Sequence, residues 1–222
     1  RPYTLKLVGE FVPEVQKEDA TGRQVTGLTL YRRVVQRWLD RDSGKHHLRP
    51  EHKLRLAADL AAEMSRIGAN VLRVTRLEDW FHEWLDQNSD RRIRYSRVGV
   101  DQLDEDLRTA TFLVRQDGLR EGESGFRFAH SSLREFFLAE YLLTAVREKR
   151  PERWQLAVRT LETLDFLGQM LLEAGDETWT LVGTLQEWRR EYRRSANELL
   201  LAYALRAHTR EWPCPIVHGI YL

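Results

Sequence analysis

The 222-residue chain has 42% hydrophobic and 31% charged residues, which is typical of folded globular proteins and excludes a disordered or collagen-like chain. Its 35 lysines and arginines nearly balance 34 aspartates and glutamates, and this net charge of +1 argues against a general nucleic-acid coat, which needs a basic surplus. The single cysteine, Cys214, excludes an intrachain disulfide, and no apolar run approaches the ~20 residues of a membrane-spanning helix.

Periodic apolar residues predict a series of helices in the first hundred residues. The clearest is amphipathic, with Val34, Val35 and Leu39 on its apolar face and arginines on the other. Gly68 is expected to end the helix predicted over residues 54–67. The predicted helices span residues 2–12, 28–40, 54–67 and 77–85, and residues 88–97 form a polar, basic stretch.

Between residues 101 and 147 the pattern changes to helix, hairpin and helix. Residues 101–109 predict a short helix, and residues 112–115 and 126–128 predict two strands separated by a glycine-rich turn. Residues 133–147 predict a long helix. This order, after the earlier helices, is that of a winged-helix domain.

The rest of the chain is predicted to be helical, over residues 152–174, 176–190 and 195–209. The predicted fold class is therefore mainly α, with helical bundle segments around a winged-helix domain that contains a small β-hairpin. The predicted parts are the end of a first helical domain (1–48), the winged-helix domain (49–148), a second helical domain (149–212) and the start of a following segment (213–222).

The strongest local motif is FRFAHSSLREFFLAEYL, residues 126–142. Ser132 and Glu135 have the spacing of a capping box, which predicts that the helix begins near Leu133 and that His130 precedes its N-terminus. A helix N-terminus favours anions, and a histidine there can donate a hydrogen bond to a phosphate oxygen. The alternative is that His130 only joins a strand to a helix.

This motif resembles the end of the winged-helix domain in NACHT-type NTPases, which belong to the STAND class of signal-transducing ATPases related to NOD-like receptors. Three upstream segments resemble, in the right order, helices of the small helical domain of that family. They are residues 2–7, 30–39 and 56–64. The resemblance covers about residues 1–147.

The resemblance implies a nucleotide-binding domain before Arg1, so that this chain is a piece of a longer protein; the start without methionine and the apolar end fit that expectation. That domain would hold ADP or ATP with Mg²⁺. The present chain has no G-x-x-x-x-G-K-[ST] motif, so we expect it to be no enzyme by itself and to carry no catalytic or metal residues. In the family, a proline packs near the nucleotide base and a histidine touches the β-phosphate of ADP. These roles would fall on Pro2 and His130.

The resemblance further implies a regulatory arm that stabilises the closed, ADP-bound state and relays activation to oligomerisation. We expect a cytoplasmic protein of bacterial signalling or antiphage defence. Its partners would be its own nucleotide-binding domain, other copies of itself and a sensed ligand, with no membrane and no nucleic acid.

Two other functions remain open at the level of sequence. A winged-helix DNA-binding regulator would use the hairpin and the basic stretch, which contains Arg91, Arg92, Arg94 and Arg97. A helical scaffold or docking module would need no site.

His46, His47 and His52 lack companion ligands at metal-site spacing, so a solvated loop is favoured over a metal centre.

Overall fold

The structure is a computed structural model that describes residues 26–41, 46–110, 112–117, 124–154, 156 and 160–191. The described residues divide into two compact units. The first comprises residues 26–60 and 68–134, and the second comprises residues 61–67 and 135–191. The helices predicted over 2–12 and 195–209 lie outside the described residues.

The described part of the chain contains eight α-helices and one three-stranded antiparallel sheet, so the mainly α class with a small hairpin is confirmed. The helices are α1 (Gly27–Arg41), α2 (Pro50–Ile67), α3 (Val74–Asp86), α4 (Ser89–Tyr95), α5 (Val100–Ala110), α6 (Ser131–Arg147), α7 (Leu161–Glu173) and α8 (Glu177–Glu191). The strands are β1 (Leu72–Arg73), β2 (Leu113–Asp117) and β3 (Ser124–Phe128). None of these helices is long and apolar enough to cross a membrane.

Local signals set the bounds of the first two helices. The hydroxyl of Thr26 accepts a hydrogen bond from the amide of Thr29 at 3.2 Å and caps α1. Pro50 occupies the first position of α2, where its missing N–H costs nothing. Gly68 ends α2 with a φ of 69°, a left-handed conformation that glycine adopts without a steric penalty.

The sheet places the hairpin against the helices of the first unit. Strand β3 lies between β1 and β2, with Phe126 opposite Leu72 on one side and Arg115 on the other. The order α5, β2–β3 hairpin and α6, after earlier helices, is the order that the sequence predicted, and β1 is a strand that the sequence did not predict. Helix α4 is an addition in the stretch predicted only as polar and basic.

In the second unit the buried indole of Trp154 contacts residues of both α6 and α8. Its Nε1–H donates to the carbonyl of Leu142 on α6 at 3.1 Å, and its ring meets that of Trp188 edge-on, with centroids 6.0 Å apart. The single helix predicted over 152–174 is wrong. A 3₁₀ turn, Pro151–Trp154, precedes α7, and the hydroxyl of Thr160 caps α7 by accepting from the amide of Thr163 at 3.4 Å. The capping hydroxyl starts a new helix that apolar periodicity alone does not reveal.

Just after the end of helix α6, one residue has an unfavourable backbone conformation. Lys149 has a φ of 54°, and the amide of Arg150 donates to the carbonyl of Ala145 at 2.8 Å, as in a Schellman cap. Lys149→Gly is expected to raise the free energy of unfolding by about 1 kcal/mol, because glycine adopts this conformation without strain. Lys149→Ala removes the same charge but keeps the strained Cβ, so urea denaturation should show a gain only for glycine. An equal gain for both variants would refute the backbone explanation.

Candidate functional site

His130 lies between β3 and α6 and is itself the N-terminal cap of the helix. The amide of Ser132 donates to Nδ1 of His130 at 3.1 Å, and the amide of Leu133 donates to the carbonyl of His130 at the same distance. Helix α6 begins at Ser131, two residues before the predicted start. The predicted capping box is therefore wrong: Ser132 lies inside the first turn, and an imidazole nitrogen takes the place of a hydroxyl.

This hydrogen bond determines which imidazole nitrogen carries the proton. Nδ1 must be unprotonated to accept from the amide of Ser132. In the neutral ring the proton then resides on Nε2, and the hydrogen bond of one nitrogen sets the role of the other. The hydrogen-bond donor of the neutral His130 ring is therefore Nε2–H.

The charges around the start of α6 favour a negative group. The first turn contains no acidic residue, so no side-chain carboxylate there offsets the positive end of the helix dipole. Arg134 adds a cation one turn into the helix. Its Nη1 donates to Oδ1 of Asn70 at 2.5 Å and contacts the carbonyl of Ala69 at 3.5 Å, which ties the first turn of α6 to the turn after α2.

Ala129, the residue before His130, is held by a hydrogen bond to a residue whose own backbone is strained. The amide of Ala129 donates to the carbonyl of Phe112 at 2.9 Å. Phe112 has a φ of 59°, which costs a bulky non-glycine residue about 1–3 kcal/mol. Its ring stacks on Trp38 of α1, with centroids 4.7 Å apart and planes inclined by 21°.

Pro2, the other predicted nucleotide contact, lies outside the described residues. Of the two predicted nucleotide contacts, His130 is the one that lies among the described residues.

The predicted solvated histidine loop is instead fastened to α5. The carboxylate of Asp106 accepts from Nδ1 of His46 at 3.2 Å and from the amides of His47 and Leu48 at 2.5 Å and 2.7 Å. Asp106 is only 3% exposed. No cluster of three or more potential metal ligands occurs in the described ranges. The sequence signal for Asp106 was weak, because its partners lie about sixty residues earlier.

His52 is also engaged by the fold. Its Nδ1 lies 2.5 Å from Oη of Tyr95, and that oxygen also accepts from the amide of Arg49 at 3.3 Å. Burial lowers the pKa of His52, and Arg91 and nearby arginines lower it further against the opposing effect of Glu51. These effects favour the neutral form of His52.

Arg91 in the basic stretch is partly buried against the first unit. Its guanidinium carbon lies 3.7 Å from the ring centroid of Trp84, whose Nε1–H donates to Oδ2 of Asp59 at 2.7 Å. Arg55 binds the same oxygen through Nε at 3.3 Å. Burial raises the pKa of Asp59, while Arg55, the Trp84 hydrogen bond and Arg91 act in the opposite direction. Sequence reasoning missed this charged cluster.

Helix α5, which precedes the hairpin, is a poor surface for phosphates. Its exposed residues include Asp101, Gln102 and Glu105. Arg92, Arg94 and Arg97 are exposed, but Arg91 is committed to Trp84. Carboxylates on this helix repel a DNA backbone, so the DNA-binding alternative gains no support from this geometry.

Comparisons of the chain with protein-family models, curated proteins and solved structures give no match. The resemblance to NACHT-type NTPases therefore depends on the sequence motif of residues 126–142 and the helices before it. The geometry at His130 is an independent physical argument about the same motif.

Proposed function

We propose that this chain is the regulatory arm of a NACHT-type STAND ATPase, in which His130 donates a hydrogen bond to a phosphate oxygen of bound ADP. The observation that supports this proposal is the hydrogen bond from the amide of Ser132 to Nδ1 of His130. It puts the N–H of the neutral ring at Nε2, beside a helix N-terminus whose first turn contains no acidic residue and where an anion is favoured.

In this proposal the chain senses the nucleotide and does not hydrolyse it. The P-loop and the Mg²⁺ ligands belong to the nucleotide-binding domain that the resemblance places before Arg1. A contact made with ADP and lost with ATP gives the two states different affinities, which is what a switch requires. Activation by a sensed ligand then releases the closed state and permits self-association, in the cytoplasm of a bacterium, for signalling or antiphage defence.

The test is ADP retention in the protein that includes the nucleotide-binding domain. Asparagine is a good N-cap, so His130→Asn keeps an acceptor for the amide of Ser132 but does not place a donor where Nε2 lies. Losing a hydrogen bond to a charged phosphate costs about 1.5–3 kcal/mol, so ADP should dissociate roughly ten- to a hundredfold faster. The measurement is the ADP content of the purified protein against time, by chromatography.

Two further variants separate sensing from helix capping. His130→Ala removes both the cap and the donor, so it should lose ADP as fast as His130→Asn and also unfold at lower urea concentration. His47→Asn changes an exposed histidine in the same unit and should leave ADP retention unchanged. The sensor role is refuted if ADP dissociates from both His130 variants at the native rate.

A further inference from the structure

Phe112 is the residue with the least favourable backbone near His130. Among the described non-glycine residues, it and Lys149 have a positive φ, and Lys149 is an exposed helix end. Phe112 by contrast is buried and precedes β2 directly. Such conformations persist only where surrounding contacts enforce them, and they concentrate at switch regions.

Two contacts of Phe112 connect α1 to the cap of α6. On one side its ring stacks on Trp38, in the last part of α1. On the other side its carbonyl accepts from the amide of Ala129, which immediately precedes His130. The orientation of a carbonyl depends on the backbone angles of its own residue, so the conformation of Phe112 determines whether this hydrogen bond can form.

We propose that Trp38 and Phe112 form a relay by which α1 sets the position of His130. While the indole covers the Phe112 ring, Phe112 stays left-handed and its carbonyl faces the amide of Ala129. When α1 moves away, Phe112 returns to an ordinary φ, the carbonyl turns, and the Ala129–His130 turn loosens. Trp38 is thus a positioning residue, and the regulatory consequence for ADP rests on the function proposed above.

The relay can be tested in the 222-residue chain without any nucleotide. Trp38→Ala should speed amide hydrogen exchange at Ala129 about tenfold or more, and should bring the two ¹⁵N imidazole shifts of His130 closer together as its tautomers mix. Trp38→Phe keeps a ring for stacking and should stay close to the native values. Leu39→Ala is the matched control, because it truncates a buried neighbour on α1 that the relay does not use.

A second substitution, added to Trp38→Ala, should restore the protection of the Ala129 amide. A general loosening of the fold by Trp38→Ala would not be reversed in this way. Glycine adopts a φ near 59° without a covering ring. Adding Phe112→Gly to Trp38→Ala should therefore restore much of the protection of the Ala129 amide, although it removes a buried side chain. The relay is wrong if Leu39→Ala exposes Ala129 as strongly as Trp38→Ala does, or if the double variant shows no recovery.

Nucleotide retention separates failure of the relay from failure of the sensor. In the protein with the nucleotide-binding domain, Trp38→Ala should release ADP faster, in the same direction as His130→Asn. If His130→Asn releases ADP and Trp38→Ala does not, the relay does not regulate the site and is overturned. If neither variant releases ADP while the Ala129 and His130 signals change as expected, the sensor function fails and the structural relay stands.

Discussion

Replacing Asp106 with alanine is expected to lower the free energy of unfolding of the first unit by about 4 kcal/mol. The buried carboxylate accepts from the amides of His47 and Leu48 through one oxygen and from the His46 ring through the other. Alanine leaves these donors without an acceptor, the Leu48 amide in a buried position and the other two in partly buried ones. An unsatisfied buried amide costs about 1–3 kcal/mol, and the partly buried amide of His47 and the ring of His46 lose their acceptor at the same time.

Asp106→Asn is the variant that isolates hydrogen bonding from side-chain volume. Its amide oxygen can accept from both backbone amides, and its NH₂ group can donate to Nδ1 of His46 in the other tautomer. We expect a loss of about 1 kcal/mol for asparagine. Urea denaturation should rank native, asparagine and alanine in that order, while Glu105→Ala, on the exposed side of α5, should change little. A loss as large for asparagine as for alanine would contradict this account.

The helices that depend on local chemistry were predictable from the sequence. Val34, Val35 and Leu39 recur with helical spacing, and all three are buried on α1. Gly68 ends α2 because only glycine enters the left-handed region without cost, so its presence after an apolar period is informative. In such cases each residue's conformation is determined by neighbours within four positions.

The features that depend on distant partners were not predictable. Strand β1 has two residues and exists only because Leu72 pairs with Phe126, more than fifty positions later. The ring of Phe112 stacks on Trp38 of α1, and the sequence around 112 shows only a strand pattern. A pattern of apolar residues records burial, not the partner against which a side chain is buried.

The candidate site was located from its motif, but its geometry was not. The sequence correctly placed His130 between a strand and a helix N-terminus. It assigned the cap to Ser132 because hydroxyl and carboxylate caps dominate the statistics of helix starts. Only the structure shows that the imidazole accepts from the helix, and this hydrogen bond is what leaves Nε2–H as the donor.

Trp84→Phe is expected to lower the free energy of unfolding by about 3 kcal/mol at neutral pH. The indole Nε1–H donates to the buried carboxylate of Asp59, and its ring stacks under the guanidinium of Arg91. Hydrogen bonds to charged groups contribute about 1.5–3 kcal/mol, and a cation–π contact about 0.5–1 kcal/mol. Phenylalanine removes the donor altogether and offers Arg91 a smaller, less electron-rich ring.

The pH dependence of this loss identifies Asp59 as its origin. Burial raises the pKa of Asp59 above the ordinary 3.8, and the Trp84 hydrogen bond is among the contacts that oppose this rise. A carboxyl group whose pKa is raised by folding contributes stability that is complete below the unfolded pKa and is lost as the pH rises through the folded pKa. Trp84→Phe raises the folded pKa further, so more stability is lost with rising pH.

The deficit of Trp84→Phe relative to the native protein should therefore be largest at neutral pH and should shrink as the pH falls through the raised pKa of Asp59. Urea denaturation at a series of pH values from neutral to acidic measures this trend. Trp80→Phe, a change to another buried indole of α3, should give a deficit that does not vary with pH in the same way. Asp59→Asn removes the titrating group, so adding Trp84→Phe to it should cost the same at every pH. A pH-independent deficit for Trp84→Phe in the presence of Asp59 would show that lost packing, and not the buried carboxylate, accounts for the instability.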